Sequence, residues 1–274
     1  MNGIYYTEVL RRSANGLSFD RYGYQQEPQW RMRFMGDDSV SIYSPDKKCY
    51  LNFVLSRGYD SIFNTARAWF KMKKISRDSL VFQLLTAKND TLDKNGENVF
   101  MTLYADKYIK DVLHTTPAIL QRTSRKDTLF IRELVQKANS NLDSAFAARQ
   151  PVAFKSKNLD VKVVQQKDVP DFLENNFSTS SDYLYPEYDI TINKAYQNFS
   201  YSFTLIVDEQ GKMHYGKPLV GFLGDKNMEA SYIKVSTAVM NSYLAYYLDV
   251  IPGSTLSMPH ASVISVNVKG VAKK

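Results

Sequence analysis

Tyr201-Ser202-Phe203-Thr204-Leu205-Ile206-Val207-Asp208-Glu209-Gln210-Gly211-Lys212-Met213 is the stretch on which the fold reading turns. Its first seven residues are aromatic, apolar or β-branched, the composition of a half-buried strand. Asp208 to Lys212 turns the chain, with Gly211 free to take φ > 0, and extended character returns as far as Phe222. From Met228 to Leu248 the apolar period lengthens to that of a helix. Tyr232, Val235, Val239, Tyr243 and Tyr246 fall on one stripe, and Ala230, Ala238 and Ala245 allow close approach. Pro252-Gly253 is expected to end this helix sharply. Ser262-Val263-Ile264-Ser265-Val266-Asn267-Val268 alternates again and reads as a strand. The pattern is a hairpin, a crossover helix and a returning strand. As a sheet edge, that strand would offer Val263, Ser265 and Asn267 to a partner strand, unless residues 1–14 or the linker cover it.

Upstream the period is two from Gly16 onward. Trp30-Arg31-Met32-Arg33-Phe34-Met35 alternates apolar and basic, and Gly36-Asp37-Asp38 turns the chain. Further strands are expected at Ser39–Tyr43, Tyr50–Leu55, Ala66–Ile75, Leu80–Leu85 and Asn98–Tyr104. Short strands divided by Asp, Gly, Pro and Ser turns predict an antiparallel sheet or barrel with one face in a core. Residues 1–14 read as a short helix or an extended lead-in. A helix is expected from about Thr128 to Arg149, capped by Ser124 or Asp127 and stopped before Pro151. Strands follow at Ala153-Phe154 and Leu159–Val164, and a short helix at Val169–Phe177.

Composition bounds the rest. The 274 residues are 44% hydrophobic and 13% aromatic, enough for a sizeable core in one large or two medium domains. The net charge of +7 is unevenly placed. Residues 1–77 hold 13 Lys/Arg against 7 Asp/Glu, whereas residues 127–274 hold 15 of each. The excess marks either an anion-binding surface or a solvated sheet face. The lone cysteine, Cys49, excludes an intrachain disulfide and a cysteine metal site, and reads as a small buried hydrophobe. No apolar run of about 18 residues suggests a membrane span. Met1 to Arg12 lacks the apolar core of a signal peptide. The expectation is a cytoplasmic chain if Met1 is the native start, and an exported one if a targeting segment precedes it.

Two resemblances sharpen this reading. Trp30-x-Met32-x-Phe34, the Gly36-Asp37-Asp38 turn and Ser76-Arg77-Asp78-Ser79-Leu80-x-Phe82 resemble the lipocalin-like β domains of small bacterial secreted proteins. That likeness implies a half-barrel able to enclose an apolar ligand, with Arg31, Arg33, Arg67, Lys71 and Lys73 lining its mouth or its outer face. A closed, filled sheet is the alternative. Residues from about Asp171 to Gly270 resemble the TonB C-terminal domain in the divergent forms of Bacteroidetes-type envelope proteins. The match lies in Phe172–Phe177, Tyr185-Pro186-Glu187, the Val207-Asp208-x-x-Gly211-Lys212 turn, the helix and Pro252-Gly253. The family's membrane anchor, Pro-rich spacer and the Trp before its Pro-Gly are missing, so energy transduction is not implied. The likeness implies a periplasm-facing module that binds other proteins.

Chemistry is harder to find. His114, His214 and His260 have no second ligand at metal spacing, and no nucleophile elbow, phosphate loop or dinucleotide fingerprint is present. Asp37-Asp38 and Asp208-Glu209 sit in turns, where acidic residues serve the backbone. The expectation is an α+β protein without cofactor or metal. An antiparallel β meander or half-barrel (residues 15–115) is followed by a helical linker (116–150) and a ββαβ TonB C-terminal-like domain (151–274). The expected function is non-enzymatic: a periplasmic envelope protein, with a lipid anchor upstream of residue 1, that binds a partner protein through a sheet edge. A small apolar ligand in the β domain is the second reading. Anion or nucleic-acid binding by the basic region is the third, with nucleic acid not favoured.

Overall fold

The computed structural model describes residues 2–36, 38–45, 47–88, 91–93, 98–168 and 180–272. The chain divides into one unit of Met1–Phe19 with Gln25–Asp127 and a second of Asp20–Tyr24 with Thr128–Lys274. Residues 116–150, expected as a linker, are thus shared between the two. The short helix expected at Val169–Phe177 lies outside the described residues.

The first unit is a single curled sheet. Its strands are β1 (Tyr5–Ser13), β2 (Arg31–Phe34), β3 (Ser39–Ser44), β4 (Cys49–Val54), β5 (Ser56–Arg57), β6 (Ile62–Thr65), β7 (Ala68–Ile75), β8 (Ser79–Lys88), β9 (Thr91–Asp93) and β10 (Val99–Ala105). Neighbours pair in the order β4-β3-β2-β1-β10-β8-β7-β6-β5, with β9 on β8. The two ends of that path, β4 and β5, are separated in sequence by Leu55 alone. The nine antiparallel strands therefore bend round into a nearly closed, barrel-like sheet. With 45% strand and 22% helix, the chain is mostly β, which overturns the α+β class and the half-barrel. The lead-in expected at residues 1–14 is also corrected: β1 lies at the middle of the sheet, between β2 and β10.

Alternation explains the inward face. Along β10 every second residue is buried, and Met101, Leu103 and Ala105 join Tyr6, Met32, Phe70 and Phe82 in one core. Phe63 stacks on Phe70 with centroids 5.2 Å apart, and Phe82 meets Phe63 edge-on at 5.3 Å. Rings fill the middle of the sheet.

The strand β1 does not alternate cleanly, because its register against β10 shifts between Glu8 and Leu10. Glu8 is fully buried at that bulge. Its carboxylate accepts both prongs of the Arg11 guanidinium at 2.8 Å. It also accepts the backbone N–H groups of Gln29 (2.8 Å) and Trp30 (3.0 Å). Four donors satisfy a group that burial would otherwise penalise heavily.

The helices are α1 (Pro117–Leu120), α2 (Arg125–Ser140), α3 (Ser181–Leu184), α4 (Lys226–Val239) and α5 (Ala245–Tyr247). The unit boundary falls in the first turn of α2. There Ser124 and Asp127 form a reciprocal cap, the Asp127 N–H donating to Ser124 Oγ at 3.1 Å and Ser124 Oγ donating to Asp127 Oδ2 at 2.6 Å. The second unit's strands are β11 (Ala153–Ser156), β12 (Val161–Gln166), β13 (Glu187–Ala195), β14 (Phe199–Val207), β15 (Met213–Pro218), β16 (Leu248–Ile251), β17 (Ser254–Thr255), β18 (Met258–Pro259) and β19 (Ser262–Ala272).

Its main sheet has the order β12-β13-β19-β14-β15. The last strand pairs parallel with β13 and antiparallel with β14. It is therefore the central strand, and the edge expected there is corrected: the sheet's edges are β12 and β15. The hairpin β14–β15, the helix after it and the returning strand β19 are present in the expected order, but ββαβ is not the whole sheet: β12 and β13 extend it beyond β19. The helix α4 continues through a π-helical turn, Met240–Leu244, into α5. Val239, Met240 and Leu244 are buried on the sheet with Phe203, Leu205, Ile264 and Val266. Tyr246 is 71% exposed, so it leaves the stripe predicted for it. Pro252-Gly253 ends β16 rather than a helix. Cys49, expected inside, is exposed.

His260 is fully buried in this unit. Its Nδ1 lies 3.0 Å from the Ala261 carbonyl oxygen and donates to it, so Nε2 accepts the Thr255 hydroxyl at 3.0 Å. The ring stacks on Phe146 with centroids 3.8 Å apart. Burial pushes its pKa down from 6.5 to about 4.

Two outcomes test this architecture. Replacing Glu8→Gln places an amide where two N–H donors and a guanidinium need an anion, and should cost about 3 kcal/mol or more in urea unfolding. A loss under about 1 kcal/mol would remove that role. For His260, the unfolded chain takes up a proton that the folded chain refuses. Stability should therefore be full above pH 6.5 and decline as pH falls toward 4, by roughly 3 kcal/mol in total. In His260→Gln, thermal melts across that window should show a shallower fall than the wild-type chain; an unchanged slope would assign the loss to other groups.

Candidate functional site

The seam between β4 and β5 places a cavity in the first unit. No ladder joins these strands, so the sheet opens where they meet. The cavity there measures about 580 Å³, within the range of small-molecule pockets. Phe34 from β2, Phe63 from β6 and Met72 from β7 bring apolar side chains to it, and Leu55 lines it from the seam itself. Polar groups of Asn2, Asp38, Arg57 and Ser61 also line it.

The rim is held by backbone contacts. The Leu55 N–H donates to the Asp38 carbonyl at 2.7 Å, and the Met72 N–H to the Ser61 carbonyl at 2.9 Å. Asp38 and Ser61 hold φ of +49° and +61°, the left-handed region that costs a side-chain-bearing residue energy. Asp38 and Arg57 form an ion pair there, with side chains 67% and 73% exposed. Such exposed pairs contribute little to stability, so this one is free to exchange partners.

The five basic residues expected at one site divide into separate places. Arg31 and Arg33 point outward from β2, on the face opposite Met32 and Phe34. The Arg31 guanidinium carbon sits 5.0 Å from the Tyr43 ring centroid, and that of Arg33 4.9 Å from Tyr5. Tyr50 meets Tyr5 and Tyr43 edge-on, at 5.6 Å and 5.3 Å. Arg67 lies in the tight turn between β6 and β7, where Ala66 and Arg67 both have positive φ. Lys71 pairs with Asp60 at 2.6 Å, and Lys73 is exposed. Three strands separate β2 from β7 in the sheet, so no single basic site gathers all five.

The three residues expected on an edge strand are placed inside a sheet. Asn267 Nδ2 donates to Glu187 (2.6 Å) and Asp189 (3.0 Å), and its Oδ1 accepts from Ser202 Oγ at 2.7 Å. The Ser265 N–H donates to the Pro186 carbonyl at 2.9 Å. Val263 is 40% exposed on the sheet surface. These residues join strands to one another.

Three other titratable groups with shifted pKa values, Asp208, Asp127 and Tyr188, serve structure. Burial acts to raise Asp208, but hydrogen bonds from His214 (2.8 Å) and the N–H groups of Lys212 and Gln210 prevail and hold it below the usual carboxylate range. That cluster closes the β14–β15 turn. Burial likewise opposes ionisation of Asp127, and the Ser124 and Ser18 hydrogen bonds of the helix cap overcome it. Burial raises Tyr188 to about 12, with its hydroxyl donating to the Val152 carbonyl. Among the described residues no three His, Cys, Asp or Glu side chains cluster at metal-binding distance, and no helix is long and apolar enough to cross a membrane.

The cavity residues Phe34, Leu55, Phe63 and Met72 were not distinguishable in the sequence as site residues. They alternate like any core residue, and only closure of the ring separates lining from filling. No protein-family model matches this sequence, and no curated protein sequence matches it either.

Proposed function

We propose that the chain is a binding protein whose first unit receives a small apolar or amphipathic molecule at the open seam of its sheet. One observation carries this reading: a cavity of about 580 Å³ with an apolar lining and a polar rim, placed where the ring of strands is not hydrogen-bonded shut. The apolar part of a ligand would lie against Phe34, Leu55, Phe63 and Met72. Its polar end would meet the Arg57–Asp38 pair, whose exposure makes exchange with a ligand carboxylate inexpensive. Binding rather than catalysis is favoured because Asp127, Asp208, Tyr188 and His260, four of the groups with shifted pKa values, are each occupied in a cap, a turn or a core.

Envelope localisation and partner binding are a second reading, supported by the residue likeness of Asp171–Gly270 to the TonB C-terminal domain. A partner strand would have to add at β12 or β15. Lys162 on β12 and Lys217-Pro218 on β15 are the residue types that discourage such pairing, so ligand binding is the stronger reading.

Titration calorimetry with dodecanoate and with dodecanol tests it on the full chain. One molecule should bind per chain, and Leu55→Trp, which fills the seam, should weaken binding by about tenfold or more while leaving the thermal midpoint nearly unchanged. Absence of saturable binding by both probes, or equal affinity in Leu55→Trp, would overturn the proposal.

A further inference from the structure

The outer face of the first unit carries a second site, independent of the cavity. Arg31, Tyr43, Tyr50, Tyr5 and Arg33 form one continuous chain of contacts across β1 to β4, guanidinium to ring to ring to ring to guanidinium. Register puts them on the same face: Tyr5 opposes Arg33, Arg33 opposes Ser41, and Tyr43 opposes Tyr50. The two guanidiniums are two residues apart on β2, so they stand side by side. Tyr50 lies between them electrostatically; burial raises its pKa, while Arg31 and Arg33 both act to lower it.

These cations are positioned but not neutralised. Among the described residues no carboxylate comes within ion-pair distance of either one. Asp106, an acid whose charge acts on Tyr50, accepts the Thr7 hydroxyl at 2.7 Å. Arg33 Nη1 donates to the Tyr5 hydroxyl at 2.7 Å, which leaves that hydroxyl's own proton to offer. Arg33 Nε is buried without a hydrogen-bond partner, a donor that costs free energy until something accepts from it. Held over the Tyr43 ring, the planar Arg31 fork is fixed in direction with its hydrogen-bonding edge turned away from the ring.

We propose that this face binds a single phosphate monoester carried by a small molecule. A phosphate dianion matches two guanidiniums in charge and presents three strong acceptor oxygens to the guanidinium and phenol donors. A carboxylate brings one charge and two oxygens, and would leave one arginine uncompensated. A nucleic-acid strand is matched poorly. Such partners gain affinity from many phosphate contacts in a row, whereas the other outward residues of β2 to β4 are Ser39, Ser41, Asn52 and Val54, all neutral.

Calorimetric titration of the full chain with phenyl phosphate, benzoate, a twelve-nucleotide single-stranded DNA and phosphatidylglycerol vesicles tests the proposal. Phenyl phosphate should bind once per chain and about tenfold more tightly than benzoate. Arg31→Gln and Arg33→Gln should each weaken it by about tenfold or more. Asp106→Asn, which removes a nearby negative charge, should tighten it, a change that damage to the fold would not produce. Arg33→Lys keeps the charge and loses the fork, so its affinity should fall between those of wild type and Arg33→Gln. The proposal is overturned if phenyl phosphate fails to saturate, or if benzoate binds equally well. It is also overturned if the arginine variants bind normally, or if the DNA or the vesicles bind more tightly than phenyl phosphate with a steep salt dependence.

Discussion

A carboxylate with no exposed surface sits at the bulge in the middle strand of the first unit, and the curl of that sheet depends on it. Glu8 is reached by a two-pronged guanidinium and by two backbone N–H groups. Those contacts fix Gln29 and Trp30 beside β1 just before the chain enters β2. They also stabilise the register shift that gives β1 its extra bend. A second shift, between Met72 and Lys74, bends β7 against β8 on the other side of the path. A flat nine-stranded sheet would leave two long exposed edges. Bending at these points brings its ends together instead.

Closure of this kind is incomplete for a local reason. The end strands are joined through one residue, Leu55, which cannot be both the link and a rung of the ladder between them. One end strand, β5, is only two residues long. The chain near the seam therefore satisfies its backbone with turns, at Asp38–Leu55 and Gly58–Ile62. The deeper interior is filled by Tyr6, Phe63, Phe70 and Phe82, while the cavity described above lies at the seam. The same geometry gives the cavity its apolar floor and polar rim.

Much of the strand pattern is legible in the sequence because period two is a local property. Arg31-Met32-Arg33-Phe34 states its two faces outright, and the Asp208–Lys212 turn is signalled by its own residues. What is not legible is non-local or comes from irregularity. Tyr5–Ser13 does not alternate, because the bulge moves its register halfway along, and it reads as a lead-in. The valines and isoleucine of β19 alternate with Ser265 and Asn267, which looks like an edge strand with one wet face. Asn267 is in fact satisfied sideways, by Ser202 on one neighbour and by Glu187 and Asp189 on the other. Its parallel partner β13 lies 78 residues upstream by register, Glu187 opposing Ser265, beyond any local pattern. The last helix ends within one residue of its expected end, but what stops it is not Pro252-Gly253: Leu248 leaves helical geometry to pair with Ser156, again a distant partner. Site residues suffer most. Alternation puts Arg31 and Arg33 outside, but it cannot say that Lys71 and Lys73 lie on a strand separated from β2 by three others, or that Arg67 sits in the turn leading into it.

The strand β2 links the two sites of the first unit without sharing a side chain between them. Phe34 faces inward to the seam cavity, while Arg33, its neighbour in sequence, faces outward to the tyrosines. Pleating sets adjacent side chains on opposite faces, with the backbone between them. Substituting one leaves the other's surroundings in place as long as the strand keeps its pairs. Apolar and anionic ligands would then be held on opposite faces of a single layer of backbone, and a shift in β2 is the route by which occupancy of one could be felt at the other. The short ladders that hold it, three residue pairs to β1 and three to β3, make β2 the most weakly tied of the strands flanking β1, and so the element of this sheet most able to carry that coupling.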